Sequence, residues 1–367
     1  MKVAIVGQST TRFSLDPSPI ENVLVASIKK IFDETRNLHQ GDIDTVLVST
    51  NENKKYLSAI ASETCGISPR ISHTVESLCN SGTNALVSAY SYIASGLSEV
   101  ALVVGAEKSD SPGRVLEWDV SRGEFTHPIF WASMFTKAHK RKYGTTEDEI
   151  ATVAAKNYKN SIDNPNAYNT KAYDVGDILD SKKITDDIRL LDCSRPCTGG
   201  SAVLLASESL AKKFTDKPVW ITGIGQKTVS ASFARNDLTS LESTKIAATN
   251  AFAMAKTDPT QIDVFEVHDA FSICEIMILE EIGLAEKGQA GKYITELYKT
   301  ADKKVNPRGG LIGTGHPLGA TGLAQVSEIV QQIQQTAGKR QIHEAQAGLV
   351  HNMSAAATSS TVMVFKA

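Results

Sequence analysis

Lys2-Val3-Ala4-Ile5-Val6-Gly7 and, some two hundred residues later, Pro218-Val219-Trp220-Ile221-Thr222-Gly223 are two versions of one short apolar run that ends in glycine. Runs this short, rich in Val and Ile and closed by Gly, read as buried strands. The echo continues downstream, with Asp42-Ile43-Asp44-Thr45-Val46 against Gln261-Ile262-Asp263-Val264-Phe265. In each half a helix-like segment and then a small-residue turn follow, Ser81-Gly82 in the first and Gly319 to Gly322 in the second. The same order of elements in both halves indicates duplication of one α/β unit. The reading divides the chain into residues 1–217 and 218–367. Further strand-like runs are Val100 to Val104, Leu349 to Val350 and Val362 to Phe365. Residues from about 110 to 190 break the pattern, with Trp118, Phe125, Phe130, Trp131 and Phe135 followed by an Asn- and Tyr-rich stretch from Asn157 to Asn169. They read as a cap inserted in the first unit, either a substrate wall or a subunit contact.

The 367 residues are 41% hydrophobic and 22% charged, an ordinary globular composition with room for a large core. A net charge of -3 gives no general attraction to nucleic acid or to an anionic membrane. No run approaches the roughly 20 apolar residues of a membrane span. Five cysteines, Cys65, Cys79, Cys193, Cys197 and Cys274, are an odd set without a secretion signal, which predicts reduced thiols and a cytoplasmic protein. Cys193 and Cys197 lack a second Cys/His pair at metal-ligand spacing, so no metal is expected.

Three segments carry chemistry. In Leu78-Cys79-Asn80-Ser81-Gly82 a cysteine precedes a small-residue turn and a helical run, which predicts a thiol at a helix N-terminus, where the dipole favours thiolate. The competing reading is an inert buried cysteine. Gly313-Thr314-Gly315-His316-Pro317-Leu318-Gly319-Ala320-Thr321-Gly322 holds a histidine in a glycine-rich turn opening a helix from about Leu323 to Gln335. Such a histidine can take a thiol proton, although in isolation it reads as a surface loop residue. Glu266-Val267-His268-Asp269-Ala270-Phe271 ends a buried strand with another histidine, at the sheet edge where α/β proteins place their sites.

Together, Cys79 in LCNSG, His268 in HDAF and His316 in GHPLGATG resemble the thiolase superfamily. The cap segment Tyr143 to Asn157 with Asn164-Pro165-Asn166-Ala167, and His351-Asn352, resemble its sterol-carrier-protein-type and archaeal acetyl-CoA acetyltransferase members. The resemblance spans nearly the whole chain. It implies two βαβαβαββ units in a five-layered α/β/α/β/α arrangement, with acyl-CoA and coenzyme A as substrates and no further cofactor. It further implies an acyl-enzyme on Cys79, His316 as acceptor of the thiol proton, and His268 as a donor to the thioester oxygen. A second oxyanion hole would be formed by the backbone N–H groups of Cys79 and Ala355. A homodimer or homotetramer is implied, as is, by analogy with archaeal relatives, a complex with a zinc-containing acyl-CoA-binding protein and hydroxymethylglutaryl-CoA synthase.

The sequence departs from the family at one point. Thiolases remove the α-proton with a second cysteine, and both of its usual positions are changed here, to Met353 and to Ala270 of HDAF. Neither side chain carries a proton. Cys274, one helical turn beyond Ala270, His351, and His268 itself are the candidate replacements, His268 slightly ahead. Trp131 and Met134 are candidate walls of the substrate and CoA channel, and Lys137 to Lys142 is either a phosphate contact or a solvated face. The leading activity is interconversion of two acetyl-CoA with acetoacetyl-CoA and CoA. A thiolase for longer chains, and a non-catalytic CoA-binding subunit, are the competing readings.

Overall fold

A computed structural model describes residues 2–111 and 123–367; part of the expected cap, Trp118 included, lies outside them. The first unit runs β1 (Val3–Thr10), α1 (Ile20–Glu34), β2 (Thr45–Ser49), α2 (Leu57–Thr64), β3 (Ile71–Val75), α3 (Ser81–Ala94) and β4 (Val100–Glu107). The cap follows as α4 (Pro128–Tyr143), α5 (Glu147–Ser161) and α6 (Val175–Asp180), and β5 (Gly199–Ser207) and α7 (Ala211–Phe214) end the unit. The second runs β6 (Val219–Thr228), α8 (Glu242–Ala255), β7 (Val264–Glu266), α9 (Ser272–Glu281), α10 (Ala290–Thr300), α11 (Gly310–Thr314), α12 (Leu318–Gln334), β8 (Ala347–Ser354) and β9 (Ser359–Lys366).

Among the described residues the strands order as β3-β2-β4-β5-β1-β6-β9-β8-β7. Counting outward from the β1–β6 seam, each half repeats one order. The seam itself is narrow, pairing only Ala4 with Trp220 and Ile5 with Val219. The duplication reaches fine detail: β1 shifts register between Ile5 and Gly7, and β6 between Ile221 and Gly223, the same place in each run. One strand is not repeated. Where β3 flanks β2 in the first unit, the outer side of β7 has, among the described residues, a single bridge, Phe265 with Val305, so the second βαβαβαββ unit keeps its third strand as one residue pair.

Strand alternation sorts the core into layers. Val3, Ile5, Leu47, Val103 and Val203 of the first half, with Val219, Val264, Val350 and Phe365 of the second, face one cluster with Leu86 and Ala89 of α3 and Leu323 and Val326 of α12. Their neighbours Ala4, Val46, Leu102 and Leu204 face α1 and α2. Phe265, Leu349 and Val364 face the α8, α9 and cap side. The result is helix, sheet, helix, sheet, helix, with α3 and α12 in the middle. These two helices approach closely because both carry glycine at the crossing. A Cβ on Gly322 would stand 2.9 Å from Thr83 Cγ2 and 3.0 Å from Thr83 N, and one on Gly82 3.2 Å from Gly319 O. The layers thereby bring the start of α3 against the start of α12.

Candidate active site

Cys79 sits in a single tight turn, Leu78–Asn80, that runs into α3. Ser81 pins that turn, its Oγ donating to Leu78 O at 2.6 Å and accepting from Ser77 N at 2.8 Å. Leu78 is left-handed, φ 49°, a conformation costly for a branched side chain and typical of residues held for function. The thiol is therefore at a helix N-terminus, as the sequence predicts, but it is not a resting thiolate. Burial, with the charge of Glu107 adding to it, pushes Cys79 up to about 12. Desolvation is the largest cause of that rise.

His316 follows Gly315, whose φ of 96° and ψ of 165° suit only glycine. Its Nε2 stands 3.3 Å from Cys79 Sγ and its Nδ1 2.7 Å from Thr321 Oγ1. Thr321 Oγ1 donates to Pro317 O at 3.0 Å. With that one proton committed, the Thr321 oxygen accepts from His316 Nδ1–H, which leaves Nε2 bare and facing the thiol. Burial, and Arg308 next, hold His316 down at about 3, so the ring is neutral and ready to receive a proton.

His268 has the opposite tautomer. Gln325 Nε2 donates to the carbonyl of His351 at 3.2 Å, which turns Gln325 Oε1 toward Asn352 Nδ2 at 2.8 Å. Asn352 Nδ2 also donates to His268 Nδ1 at 3.0 Å. His268 Nδ1 thus accepts and its proton resides on Nε2. Burial holds its pKa well below the usual histidine range. One ring nitrogen of each histidine and Cys79 Sγ lie within 4.8 Å of one another, and the rings cross edge to face at 5.2 Å. The site therefore contains one bare imidazole nitrogen, 3.3 Å from the Cys79 sulfur, and a neighbouring imidazole that carries its proton on Nε2. In this tautomer His268 suits a hydrogen-bond donor better than the base it is expected to be from the sequence.

These groups open into a cavity of about 290 Å³, lined mainly by apolar side chains that include Ile129, Trp131, Phe271 and Met353. Ala270 and Met353, the positions of the absent second cysteine, both line it. The other two candidate bases are elsewhere. Cys274 is fully buried in the core around α9, with its thiol pushed up beyond the usual range by burial. The helix begins at Ser272, so Ala270 is not part of it and the two positions share no face. His351 points out of the opposite side of β8, its Nε2 on Thr244 Oγ1 at 3.0 Å. Strand alternation sends Asn352 toward His268 and His351 away.

Trp131 lines both the cavity and an adjoining open groove, where Met134, Lys137, Phe233 and Phe130 follow it. Ala355, expected to supply a backbone donor, lines the cavity and opens a left-handed turn over Ala355, Ala356 and Ala357, with φ of 40°, 57° and 58°.

Glu107 belongs to the site and was missed by sequence reasoning. Its Oε2 accepts from Asn51 Nδ2 at 2.7 Å, Asn51 N at 3.0 Å and Gly319 N at 3.0 Å, so it ties β4 to the start of α12 behind Cys79. Burial raises it to about 7 against the hydrogen bonds of Asn51. A carboxylate ending an otherwise apolar buried strand is the signal that could have found it.

Residues 3–172 match the family described as thiolase, N-terminal domain, and residues 225–367 the thiolase C-terminal domain-like family. The chain is 35% identical to an acetyl-CoA acetyltransferase of Methanothermobacter thermautotrophicus, with 99% of each chain covered. It is 33% identical to sterol carrier protein 2 of Bos taurus over 76% of this chain and 56% of that one. Among solved structures, the Ltp2-ChsH2(DUF35) aldolase matches with a TM-score of 0.89 at 20% identity, covering 100% of this chain and 98% of that one. A monomeric SCP2-thiolase like protein from Mycobacterium smegmatis matches with a TM-score of 0.80 at 17% identity, covering 99% and 76%. The expected fold is thereby met in relatives as well as in the layers described above. With both halves matched by family models and a full-length relative above 30% identity, the chain belongs to the thiolase family of acyltransferases.

Proposed function

We propose that the protein is an acetyl-CoA C-acetyltransferase that interconverts two acetyl-CoA with acetoacetyl-CoA and CoA. The observation that carries the reading is the bare His316 Nε2 at 3.3 Å from the Cys79 thiol, at the end of a mainly apolar cavity. As Cys79 attacks the thioester carbonyl, its proton passes to His316 Nε2, so no thiolate has to exist in the resting site. The His268 Nε2–H is a donor for the oxygen that gains charge, and the N–H groups of Cys79 and Ala355 are the matching pair for the second carbonyl. Trp131 and the groove beyond it suit the pantetheine arm and keep the charged phosphates outside the dry cavity. The full-length relatives named acetyl-CoA acetyltransferase support the two-carbon substrate over a longer one.

The assembly belongs to the same proposal. β3 is an edge strand with half-exposed residues, suited to pairing with a second copy in a homodimer or a pair of dimers. A zinc-containing acyl-CoA-binding partner and, more distantly, hydroxymethylglutaryl-CoA synthase are proposed as associates by analogy with archaeal relatives; the aldolase neighbour carries a second component, ChsH2(DUF35), in its name. No described helix is long and apolar enough to cross a membrane, in keeping with a cytoplasmic enzyme.

The deciding experiment exposes purified protein to acetyl-CoA, reads its intact mass, and follows CoA-dependent loss of acetoacetyl-CoA. Wild type should gain one acetyl group and Cys79→Ala none, with turnover lost at least ~10³-fold. A wild-type protein that never becomes acetylated would favour the non-catalytic subunit.

A further inference from the structure

The cavity contains a second thiol. Cys193 is a free, half-buried cysteine that lines the same cavity as Cys79, His268 and His316. It follows the turn Leu190–Asp192, and two backbone contacts hold it beside the HDAF segment. Cys193 forms an antiparallel bridge with Phe271, and Ser194 N donates to Ala270 O at 2.9 Å. A thiol brought in from the end of the cap therefore stands next to the position at which HDAF lacks one. Its S–H donates to Arg189 O at 3.3 Å.

We propose that Cys193 is the second proton carrier of this enzyme, the residue that protonates the departing CoA sulfur and then removes the α-proton of the second acetyl-CoA. The inference rests on the acyltransferase reading above. The other described lining groups are already committed. His316 holds the Cys79 proton, and His268 presents an N–H rather than a lone pair. His127 Nδ1 accepts from Ile129 N at 3.2 Å, which puts the proton of a neutral ring on its other nitrogen. Ser194 is a hydroxyl, far too weak an acid to trade protons with a thioester α-carbon.

The protons balance. Cys79 attacks the first acetyl-CoA, its proton goes to His316, and the CoA thiolate leaves with the proton of Cys193. The acyl-enzyme then holds an imidazolium at His316 and a thiolate at Cys193, so the cavity gains no net charge. The Cys193 thiolate takes the methyl proton of the second acetyl-CoA. The enolate carbon bonds to the acetyl carbonyl carbon, the bond from that carbon to Cys79 sulfur breaks, and Cys79 recovers its proton from His316. Burial, then Asp192, pushes the resting Cys193 thiol up to about 12, so it begins protonated, as the first step needs. The imidazolium formed in that step is the counter-charge for its thiolate.

The test supplies acetyl-CoA with a deuterated methyl group to wild type, Cys193→Ala and Cys193→Ser, the serine variant keeping nearly the same volume. Three quantities are read: acetylation of Cys79 by intact mass, washout of methyl deuterium into water, and acetoacetyl-CoA turnover. Both variants should still become acetylated on Cys79, more slowly than wild type because the departing CoA thiolate must take its proton from water. The adduct shows that the fold and the Cys79–His316 pair survive, while washout and turnover fall ~10²-fold or more. Washout at the wild-type rate in Cys193→Ser would overturn the assignment with the acyl-enzyme reading intact. Absence of the acetyl adduct from wild type would overturn the acyl-enzyme reading itself.

Discussion

Thr321 has one hydroxyl proton and gives it to Pro317 O, and from that the tautomer of His316 follows. Asn352 plays the complementary part for His268. If His268 acts through its N–H, an amide can stand in for it. His268→Asn should retain a large part of turnover, whereas His268→Ala should lose about 10²- to 10³-fold, the usual cost of an oxyanion donor. Equal loss in the two variants would make His268 a base instead. Glu107 gives a pH prediction. Burial raises its pKa to about 7, above the 4.5 of an ordinary glutamate, so the fold favours the protonated acid. The stability this contributes is complete below about 4.5 and is lost as pH rises through about 7. Chemical denaturation of Glu107→Gln between these pH values should show a flatter decline than wild type. Cys79, His268 and His316 were legible because each lies in a distinctive short motif. Glu107 and Cys193 were not, because each stands in unremarkable sequence and gains its meaning from what the fold puts next to it.

β6 and α8 show how close packing is written into an element. A Cβ on Gly225 would run into the Ala247 carbonyl and stand 2.8 Å from Ala251 N, and helix backbone cannot give way as a flexible side chain can. Gly225→Ala should therefore cost several kcal/mol, at the upper end for single substitutions, seen as a drop of roughly 10 °C or more in Tm. A loss below about 1 kcal/mol would mean that α8 is free to slide. The alternating runs that became β1, β2, β4, β6 and β9 were readable directly. β5 was not, since Gly199-Gly200-Ser201-Ala202 opens it with small residues that resemble a loop. β3 was missed too, as Ile71-Ser72-His73-Thr74-Val75 is a partly exposed edge with little apolar signal. The GHPLGATG helix starts at Leu318, earlier than expected, because the motif glycines are inside it and serve the crossing with α3.

At the scale of the molecule, the cap is fastened to the second unit by buried charge. Lys156 of α5 meets Glu275 of α9 at 3.0 Å with both side chains buried. Its neighbour Asn157 donates to Asp269, beside His268, and to Glu275, at 2.7 Å each. Removing one member strands the other, so Lys156→Met should destabilise by about 3 to 5 kcal/mol, whereas Lys156→Met with Glu275→Leu should recover much of that. Denaturant midpoints of these two variants and of Glu275→Leu alone give the coupling, and additive losses would show that the pair is not a unit. Sequence alone marked the cap as an insertion, but its role as a brace depends on pairings far apart in the chain.

The strand order carries a consequence for how the chain is made. β1 is flanked by β5 and β6, and β5 begins only at Gly199. During synthesis at roughly 5 to 20 residues per second, the first strand emerges and then waits on the order of 10 to 40 s for its partner. Through that interval Val3-Ala4-Ile5-Val6 is an unpaired apolar ribbon, and the nascent chain depends on whatever shelters it until the middle of the sequence arrives.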